Sequence, residues 1–168
     1  IVLMAGPSSS GKTTTSRKLC MYLKSFGLNP KAIEMDNYFV EREQTPKDEN
    51  GKYDFECLEA MDLKLFDKQM SQLLAGEKVL MPTYNFGLGK KEYNETLQLE
   101  EKDILIIEGI HALNDMLTPS IDNELKFKIY NLVNLNFRKQ SMEAFIYVEM
   151  IISIISLIIQ LEVIVWAY

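Results

Sequence analysis

The chain has 168 residues, of which 47% are hydrophobic and 25% are charged, as in an ordinary globular domain with a buried core. Its formal net charge of −6 argues against a general nucleic-acid binder, because neutralising phosphates requires clustered Lys and Arg side chains. Cys20 and Cys57 lack metal-ligand spacing, so we expect reduced thiols in a cytoplasmic protein. The chain begins without Met on an apolar run, which predicts a fragment of a longer protein.

The first elements along the chain are predicted to be a strand, a phosphate-binding turn and a helix. Residues 1–5 are apolar and run into a glycine-rich turn, a pattern typical of a buried parallel strand. The spacing of Leu19, Cys20 and Leu23 predicts a helix over residues 13–26, which ends at Gly27. A second strand is predicted over residues 31–35. The polar stretch 41–53 contains Pro and Gly and is predicted to be an exposed loop.

The second half of the chain repeats this alternation. Residues 62–75 carry apolar side chains at helical spacing, and residues 79–81 are predicted to form a short strand before Pro82. Residues 85–89 suit a hairpin turn, residues 103–109 a buried strand, and residues 127–130 the start of another strand. Strands that alternate with helices and end in polar residues predict an α/β fold with a mostly parallel sheet.

Residues 6–13, Gly-Pro-Ser-Ser-Ser-Gly-Lys-Thr, match the phosphate-binding pattern G-x-x-x-x-G-K-T between the first strand and helix. The glycines let backbone N–H groups surround phosphate oxygens, and the helix directs its positive dipole end towards the same anion. Lys12 is expected to reach the β- and γ-phosphates of ATP, and the Thr13 hydroxyl is expected to bind Mg²⁺. The residues predicted to contact the cofactor are Gly6, Ser8, Ser9, Ser10, Gly11, Lys12, Thr13 and Thr14.

Two carboxylates follow predicted strands. Glu108 stands at the C-terminal end of the apolar run 104–107 and is the natural candidate for the metal ligand, although a solvated strand-end glutamate is the alternative. Asp36 ends the second strand and could accept the proton of an attacking hydroxyl. It could equally cap a turn, and the residues alone leave both interpretations open.

Four blocks of sequence resemble the uridine kinase-like branch of the P-loop nucleoside kinases, which is related to phosphoribulokinase. They are residues 4–14, residues 36–39 (Asp-Asn-Tyr-Phe), residues 53–62, and residues 82–86 followed by 106–110. The resemblance covers residues 1–130 and implies a P-loop kinase domain of three layers, α/β/α. It further implies an ATP-dependent kinase that phosphorylates the 5′-hydroxyl of a nucleoside, with Asp36 as the catalytic base and Lys12 beside the transferred phosphate.

The resemblance also implies substrate contacts. Glu56 stands where the family holds the ribose hydroxyls, and Tyr84 and Phe86 stand where aromatic rings flank the base, although both rings could be core. Tyr38 could line the acceptor pocket or lie in the core. Gly89 stands where uridine kinases have a histidine that reads the pyrimidine edge, so the base preference stays open. His111 is expected to be structural, and relatives of this type carry an upstream domain similar to part of threonyl-tRNA synthetase.

Residues 131–168 differ in composition from the rest, since they hold five of the 42 Asp, Glu, Lys and Arg residues. The family continues here with an Arg-rich lid over ATP. We expect either a divergent buried element or a change of reading frame. A membrane anchor is disfavoured because the uncharged run 150–161 has 12 residues, whereas a span needs about 20.

Two other functions compete with the nucleoside kinase. One is a kinase for another small hydroxyl compound, such as a sugar phosphate, which would need a second basic cluster; Lys90 and Lys91 are the sole candidates seen. The other is a nucleotide-binding module without turnover because the lid is absent. The residues leave open whether the protein forms a homo-oligomer.

Overall fold

The computed structural model describes residues 1–8 and 10–131, so Ser9 and the predicted segment after Asn131 lie outside the described residues. Two α-helices, Lys12–Ser25 (α1) and Leu63–Leu74 (α2), are joined by short 3₁₀ turns and loops to six strands. The strands are Val2–Ala5 (β1), Asn29–Glu34 (β2), Val79–Asn85 (β3), Lys90–Leu97 (β4), Asp103–Glu108 (β5) and Phe127–Tyr130 (β6).

Four strands form a parallel sheet in the order β2–β5–β1–β6. Successive side chains of a strand point to opposite faces, so β1 and β5 each contribute to two cores. Val2, Met4 and Ile106 pack with α1 on one face. Leu3 and Ile107 pack on the other face, together with the buried residues of α2. The sheet between two helical layers confirms the predicted three-layer α/β/α fold.

Both predicted helices are present, and their ends have local causes. Gly11 precedes α1 with a left-handed φ of 79°, and Gly27, with a φ of 78°, follows its last turn. Asp62 caps α2 by accepting a hydrogen bond from the backbone N–H of Leu65 at 3.2 Å. The predicted bounds of both helices and of β1, β2 and β5 agree with the structure to within two residues.

The predicted turn at residues 85–89 connects β3 and β4, which pair as an antiparallel hairpin. The prediction that the strand stops before Pro82 is wrong, because β3 continues through Pro82 to Asn85. Proline is tolerated there since the register shifts between Met81 and Pro82, where a ladder hydrogen bond is interrupted. Over residues 1–8 and 10–131, no helix has the length and apolar character that a membrane crossing would need.

Candidate active site

The phosphate-binding loop is closed by a neighbouring strand end. A Cβ built on Gly6 would lie 2.5 Å from the carbonyl oxygen of Asn131 and 2.8 Å from Oγ of Ser10, so only glycine fits. Asn131 follows β6, and its side-chain amide donates to the Ser10 carbonyl and to Oγ1 of Thr15, both at 3.2 Å. The loop is therefore braced from β6 as well as by its own sequence.

Lys12 lies inside the curve of this loop. Its Nζ donates to the carbonyl oxygens of Gly6 at 2.9 Å and Pro7 at 2.8 Å. These contacts hold the ammonium where backbone N–H groups and the N-terminus of α1 also concentrate positive potential. The arrangement suits a bound polyphosphate, as the sequence predicts.

Thr13 and Glu108 are brought together across 95 residues of sequence. Oγ1 of Thr13 donates to Oε1 of Glu108 at 2.9 Å, and the Ser16 hydroxyl lies 3.5 Å from Oε2. Glu108 is 8% exposed, so the alternative of a solvated strand-end glutamate does not apply.

The oxygens of this pair fit the ligand preference of Mg²⁺, which binds one or two protein oxygens together with water and phosphate. Within the described part of the chain, no group of three or more His, Cys, Asp or Glu side chains could hold a metal on its own. The residues therefore fit a metal ion shared with a phosphate ligand better than one enclosed by protein.

A cleft of about 220 Å³ joins the loop to the ends of β2 and β5. Besides Asp36, four residues predicted from the sequence line it: Ser8, Lys12, Thr13 and Glu108. Asp36 lines the same cleft, so the two candidate carboxylates and the loop lysine share one space. The remaining lining residues are Glu34, Gly109 and Ile110.

Asp36 lies in the 3₁₀ turn that follows β2. Although its side chain is exposed towards the cleft, the surrounding protein partly desolvates the carboxyl and raises its pKa above the ordinary value. The positive charge of Lys12 opposes this shift and lowers the pKa. A carboxylate that has a raised pKa and lies near a phosphate site is suited to accept a proton.

Glu56 is connected through its backbone to the segment that follows β5. Nε2 of His111 lies 2.8 Å from the Glu56 carbonyl oxygen, and the Glu56 N–H donates to Oδ1 of Asp54 at 2.9 Å. His111 directly follows the cleft residue Ile110, so it ties the Glu56 segment to the end of β5. The side chain of Glu56 is exposed.

The structure corrects the placement of Tyr38 in a substrate pocket. Tyr38 has no exposed surface, and its hydroxyl donates to Oε1 of Gln69 on α2 at 2.9 Å. Its ring meets Phe66 edge-to-face with a centroid distance of 4.8 Å. The side chain points into the core because its hydroxyl and its ring both find partners on α2.

Tyr84 and Phe86 belong to an aromatic cluster with Phe39, which follows the Asp36 turn. The Tyr84 and Phe86 rings lie 5.0 Å apart at an interplanar angle of 73°, so they do not form two parallel walls around a base. Tyr84 is 4% exposed and contacts Phe39 at 5.6 Å, whereas Phe86 is 54% exposed. Only Phe86 presents an open ring in this arrangement.

Gly89, at the place of the expected histidine, is covered by Arg42. The backbone N–H of Arg42 donates to the Gly89 carbonyl at 2.9 Å, and its guanidinium donates to the Phe86 carbonyl. The sequence gives no local sign of this contact, because the two residues are 47 positions apart and lie in different loops.

The residues of the site that the sequence did not indicate include Glu34, which lines the cleft, and Asn131, which braces the loop. Glu34 and Asn131 each stand at or directly after the end of a parallel strand, which is a usable signal because such ends converge. Of the other predicted cofactor contacts, Thr14 is exposed on the first turn of α1, and Ser9 lies outside the described residues.

Comparisons with known proteins agree with this geometry. The model of the Phosphoribulokinase / Uridine kinase family matches residues 1–142. The uridine kinase of Lactobacillus helveticus (strain DPC 4571) is 30% identical over 130 residues, which are 77% of this chain and 59% of that protein. The uridine kinase of Bacillus cereus (strain B4264) is 30% identical over 115 residues, which are 68% of this chain and 53% of that protein.

A solved structure of a possible uridine kinase from Bacillus stearothermophilus is also similar. It has a TM-score of 0.62 and 26% sequence identity, and the match covers 82% of this chain and 72% of that one. The chain spans little more than half the length of the curated relatives it matches. The phosphate-binding loop, the carboxylate at the end of β5 and these matches lead to one assignment: this chain belongs to the phosphoribulokinase/uridine kinase family.

Proposed function

We propose that the protein is an ATP-dependent kinase that transfers the γ-phosphoryl group to the 5′-hydroxyl of a nucleoside. The observation that carries the proposal is the shared cleft, which holds Lys12, the Thr13–Glu108 pair and Asp36. A phosphate-binding lysine, a metal-binding oxygen pair and a carboxylate base are the parts that phosphoryl transfer from ATP requires.

Each residue has a defined task in this proposal. The loop N–H groups and Lys12 bind the β- and γ-phosphates, and Lys12 offsets the charge that develops during transfer. Asp36 accepts the proton of the attacking hydroxyl as that oxygen forms its bond to the γ-phosphorus and the bond to the ADP oxygen breaks. Mg²⁺, when held by Thr13 and Glu108, supplies further neutralisation of the phosphate oxygens.

The nucleoside is proposed as the acceptor on two grounds. The relatives with matching sequence are named uridine kinases. The exposed carboxylate of Glu56 offers two acceptor oxygens to the two hydroxyls of a ribose, and the open ring of Phe86 offers a stacking surface to a base.

A sugar-phosphate substrate is disfavoured by the surroundings of Lys91. Its Nζ lies 2.8 Å from Oδ2 of Asp62 and donates to the Phe39 carbonyl at 3.1 Å, and its side chain is 9% exposed. Lys91 is therefore already neutralised inside the protein. Of the two lysines considered for an anionic substrate, only Lys90 remains exposed.

The second competing function is a nucleotide-binding module without turnover. It depends on whether the chain has a lid, and the lid region falls in the part of the chain outside the described residues. We propose residues 1–130 as the kinase core and residues 131–168 as an atypical segment in place of the lid. Turnover by this chain decides between the two functions.

The test is ADP release from ATP with a panel of nucleosides, measured for the full chain and for Asp36→Asn. We expect nucleoside-dependent release that falls about 100-fold or more in the variant, with ATP binding retained, because a general base contributes that much. Asp115→Asn is the matched control, since Asp115 is exposed and does not line the cleft, and it should leave the rate unchanged.

ATP binding without nucleoside-dependent release would reject the enzyme and support the binding module. Full turnover by Asp36→Asn would instead remove Asp36 from the mechanism and leave the kinase assignment in place.

A further inference from the structure

Gln69 on α2 is a buried polar side chain that the proposed chemistry does not use. It is 7% exposed, and both ends of its amide are bonded. Oε1 accepts from the Tyr38 hydroxyl at 2.9 Å, and Nε2 donates to the Leu80 carbonyl oxygen on β3 at 3.0 Å. Burying an amide costs free energy that an apolar side chain would not cost, and these two bonds offset it. Core packing alone therefore gives no reason for a glutamine at this position.

Tyr38 is held by α2 at both of its ends. The backbone N–H of Asp62, the N-cap of α2, donates to the Tyr38 carbonyl oxygen at 2.8 Å. Gln69 bonds to the Tyr38 hydroxyl about two turns further along the same helix. Because a packed helix is a rigid element, these contacts fix both where Tyr38 lies and where its side chain points.

The 3₁₀ turn that ends at Tyr38 also carries Asp36, and both neighbours of Asp36 are anchored. Met35 is 2% exposed and packs closely against Gly109, where an added Cβ would lie 2.6 Å from Sδ of Met35. Oδ1 of Asn37 accepts a hydrogen bond from a backbone N–H of β3 at 3.2 Å. The turn is therefore fixed against β3, the end of β5 and α2.

The carboxyl of Asp36 has no hydrogen bond of its own to any residue that the structure describes. It lines the cleft, and its direction there follows from the backbone of the turn. A catalytic group that is misplaced by about 1 Å can lose about 100-fold in rate. The contacts that hold the turn are therefore contacts on which proton transfer depends.

We propose that Gln69 is a positioning residue for phosphoryl transfer. Through the Tyr38 hydroxyl it fixes the turn that carries Asp36, and so keeps that carboxylate within reach of the acceptor hydroxyl. The proton path stays as proposed above, since Gln69 does not line the cleft and takes no proton. The inference rests on the proposed kinase function and adds a residue to its mechanism.

The test is the steady-state kinetics of Gln69→Met with the best acceptor of the nucleoside panel. We expect kcat to fall about tenfold or more, because the turn loses the bond that directs it. The KM for the nucleoside and the dissociation constant of a non-hydrolysable ATP analogue should stay within about threefold, since Lys12 and Thr13 lie on α1. Retained binding of the analogue also shows that the variant is folded.

Tyr38→Phe is the second variant, because it removes the other partner of the same hydrogen bond and keeps the ring. It should lower kcat about threefold or more, again without weakening ATP binding. The double variant, Tyr38→Phe with Gln69→Met, should be no slower than Gln69→Met alone, because both side chains act through one bond. Losses that multiply in the double variant would mean that Gln69 acts by another route, and would overturn the inference.

Gln72→Met is the matched control, since it makes the same substitution on the same helix. The Gln72 amide donates to Oε2 of Glu77 at 2.8 Å, away from the Asp36 turn, so kcat should not change. An equal fall in this control overturns the inference. So does a Gln69→Met variant that unfolds at a lower temperature but keeps its kcat well below that temperature.

These outcomes leave the kinase assignment standing. If the unmodified chain binds the ATP analogue but phosphorylates no nucleoside, the proposed function itself is rejected, and the inference fails with it.

Discussion

At the scale of single residues, the surroundings of the cleft change the pKa of the Asp36 carboxyl in two opposing ways. Desolvation raises its pKa, and Lys12 lowers it again. The raised folded-state pKa means that the ionised form is less favourable in the folded protein than in the unfolded chain. The same property that suits Asp36 to accept a proton therefore costs stability above both pKa values.

Replacement of Asp36 by Asn should accordingly stabilise the fold or leave it unchanged at pH 8. Any gain should shrink as the pH falls through the folded pKa, because the native carboxyl then takes up its proton and no longer opposes folding. Thermal unfolding midpoints at pH 8 and pH 4 measure this.

Asp115→Asn is the control of opposite sign, because Lys128 holds the pKa of Asp115 below its ordinary value. That variant should be no more stable than the unmodified protein at pH 8, and any loss should fade on acidification. A midpoint for Asp36→Asn well below the unmodified value at pH 8 would contradict the desolvation argument.

Residue roles were predictable only where the motif fixes the direction of the side chain. Lys12 and Thr13 follow from the loop pattern, because the turn and helix determine where they point. Asp36 and Tyr38 occupy the same short turn, yet one faces the cleft and the other enters the core. That choice depends on Gln69 and Phe66 of α2, which no local pattern connects to residue 38.

At the scale of elements, one lysine anchors the β3–β4 hairpin to the rest of the domain. Lys91 on β4 bonds to Asp62, the N-cap of α2, and to the carbonyl of Phe39, which follows the Asp36 turn. The hairpin carries Tyr84 and Phe86, so this contact fixes the aromatic cluster relative to the cleft.

Lys91→Met should therefore destabilise the protein by about 1–3 kcal/mol, because it leaves the Asp62 charge and the Phe39 carbonyl without their partner. The expected loss of stability is smaller than for a fully buried ion pair, since the Asp62 side chain is 31% exposed. Urea unfolding measures the change, and Lys90→Met, at the exposed neighbour, should stay within about 0.5 kcal/mol. Equal effects of the two substitutions would rule out the anchoring role.

The elements themselves were predictable where their signals are local. Apolar runs, helical spacing and glycine stops defined β1, β5, α1 and α2. The predicted end of β3 at Pro82 was wrong because proline normally ends a strand, whereas here a register shift against β4 accommodates it. The docking of the hairpin depends on the Lys91–Asp62 pair, which is 29 residues apart in sequence.

At the scale of the whole molecule, the parallel sheet turns distant segments into one site. β1, β2 and β5 end at the same edge, with Met4 and Glu34 both in register with Glu108. An α/β prediction therefore already implies that residues near 12, 36 and 108 converge, and the cleft agrees. The position of Arg42 could not be predicted in this way, because Arg42 belongs to a loop and strand order does not determine where a loop residue lies.

Because the cleft joins the loop, α1 and the ends of β2 and β5, nucleotide binding should stabilise the whole domain against unfolding. ATP with Mg²⁺ at 100 times its dissociation constant should add about 2.7 kcal/mol by mass action. Adding EDTA, or replacing Glu108 by Gln, should remove most of the metal-dependent part, because Glu108 and Thr13, which bond to each other, are the proposed oxygen ligands. Thermal shifts with ATP, in magnesium or EDTA, measure this.

Glu34→Gln is the control, because it removes an equal charge from the same cleft and leaves the Thr13–Glu108 pair in place. This variant should keep the magnesium dependence. Loss of the magnesium dependence in Glu34→Gln but not in Glu108→Gln would assign the metal site to Glu34 instead.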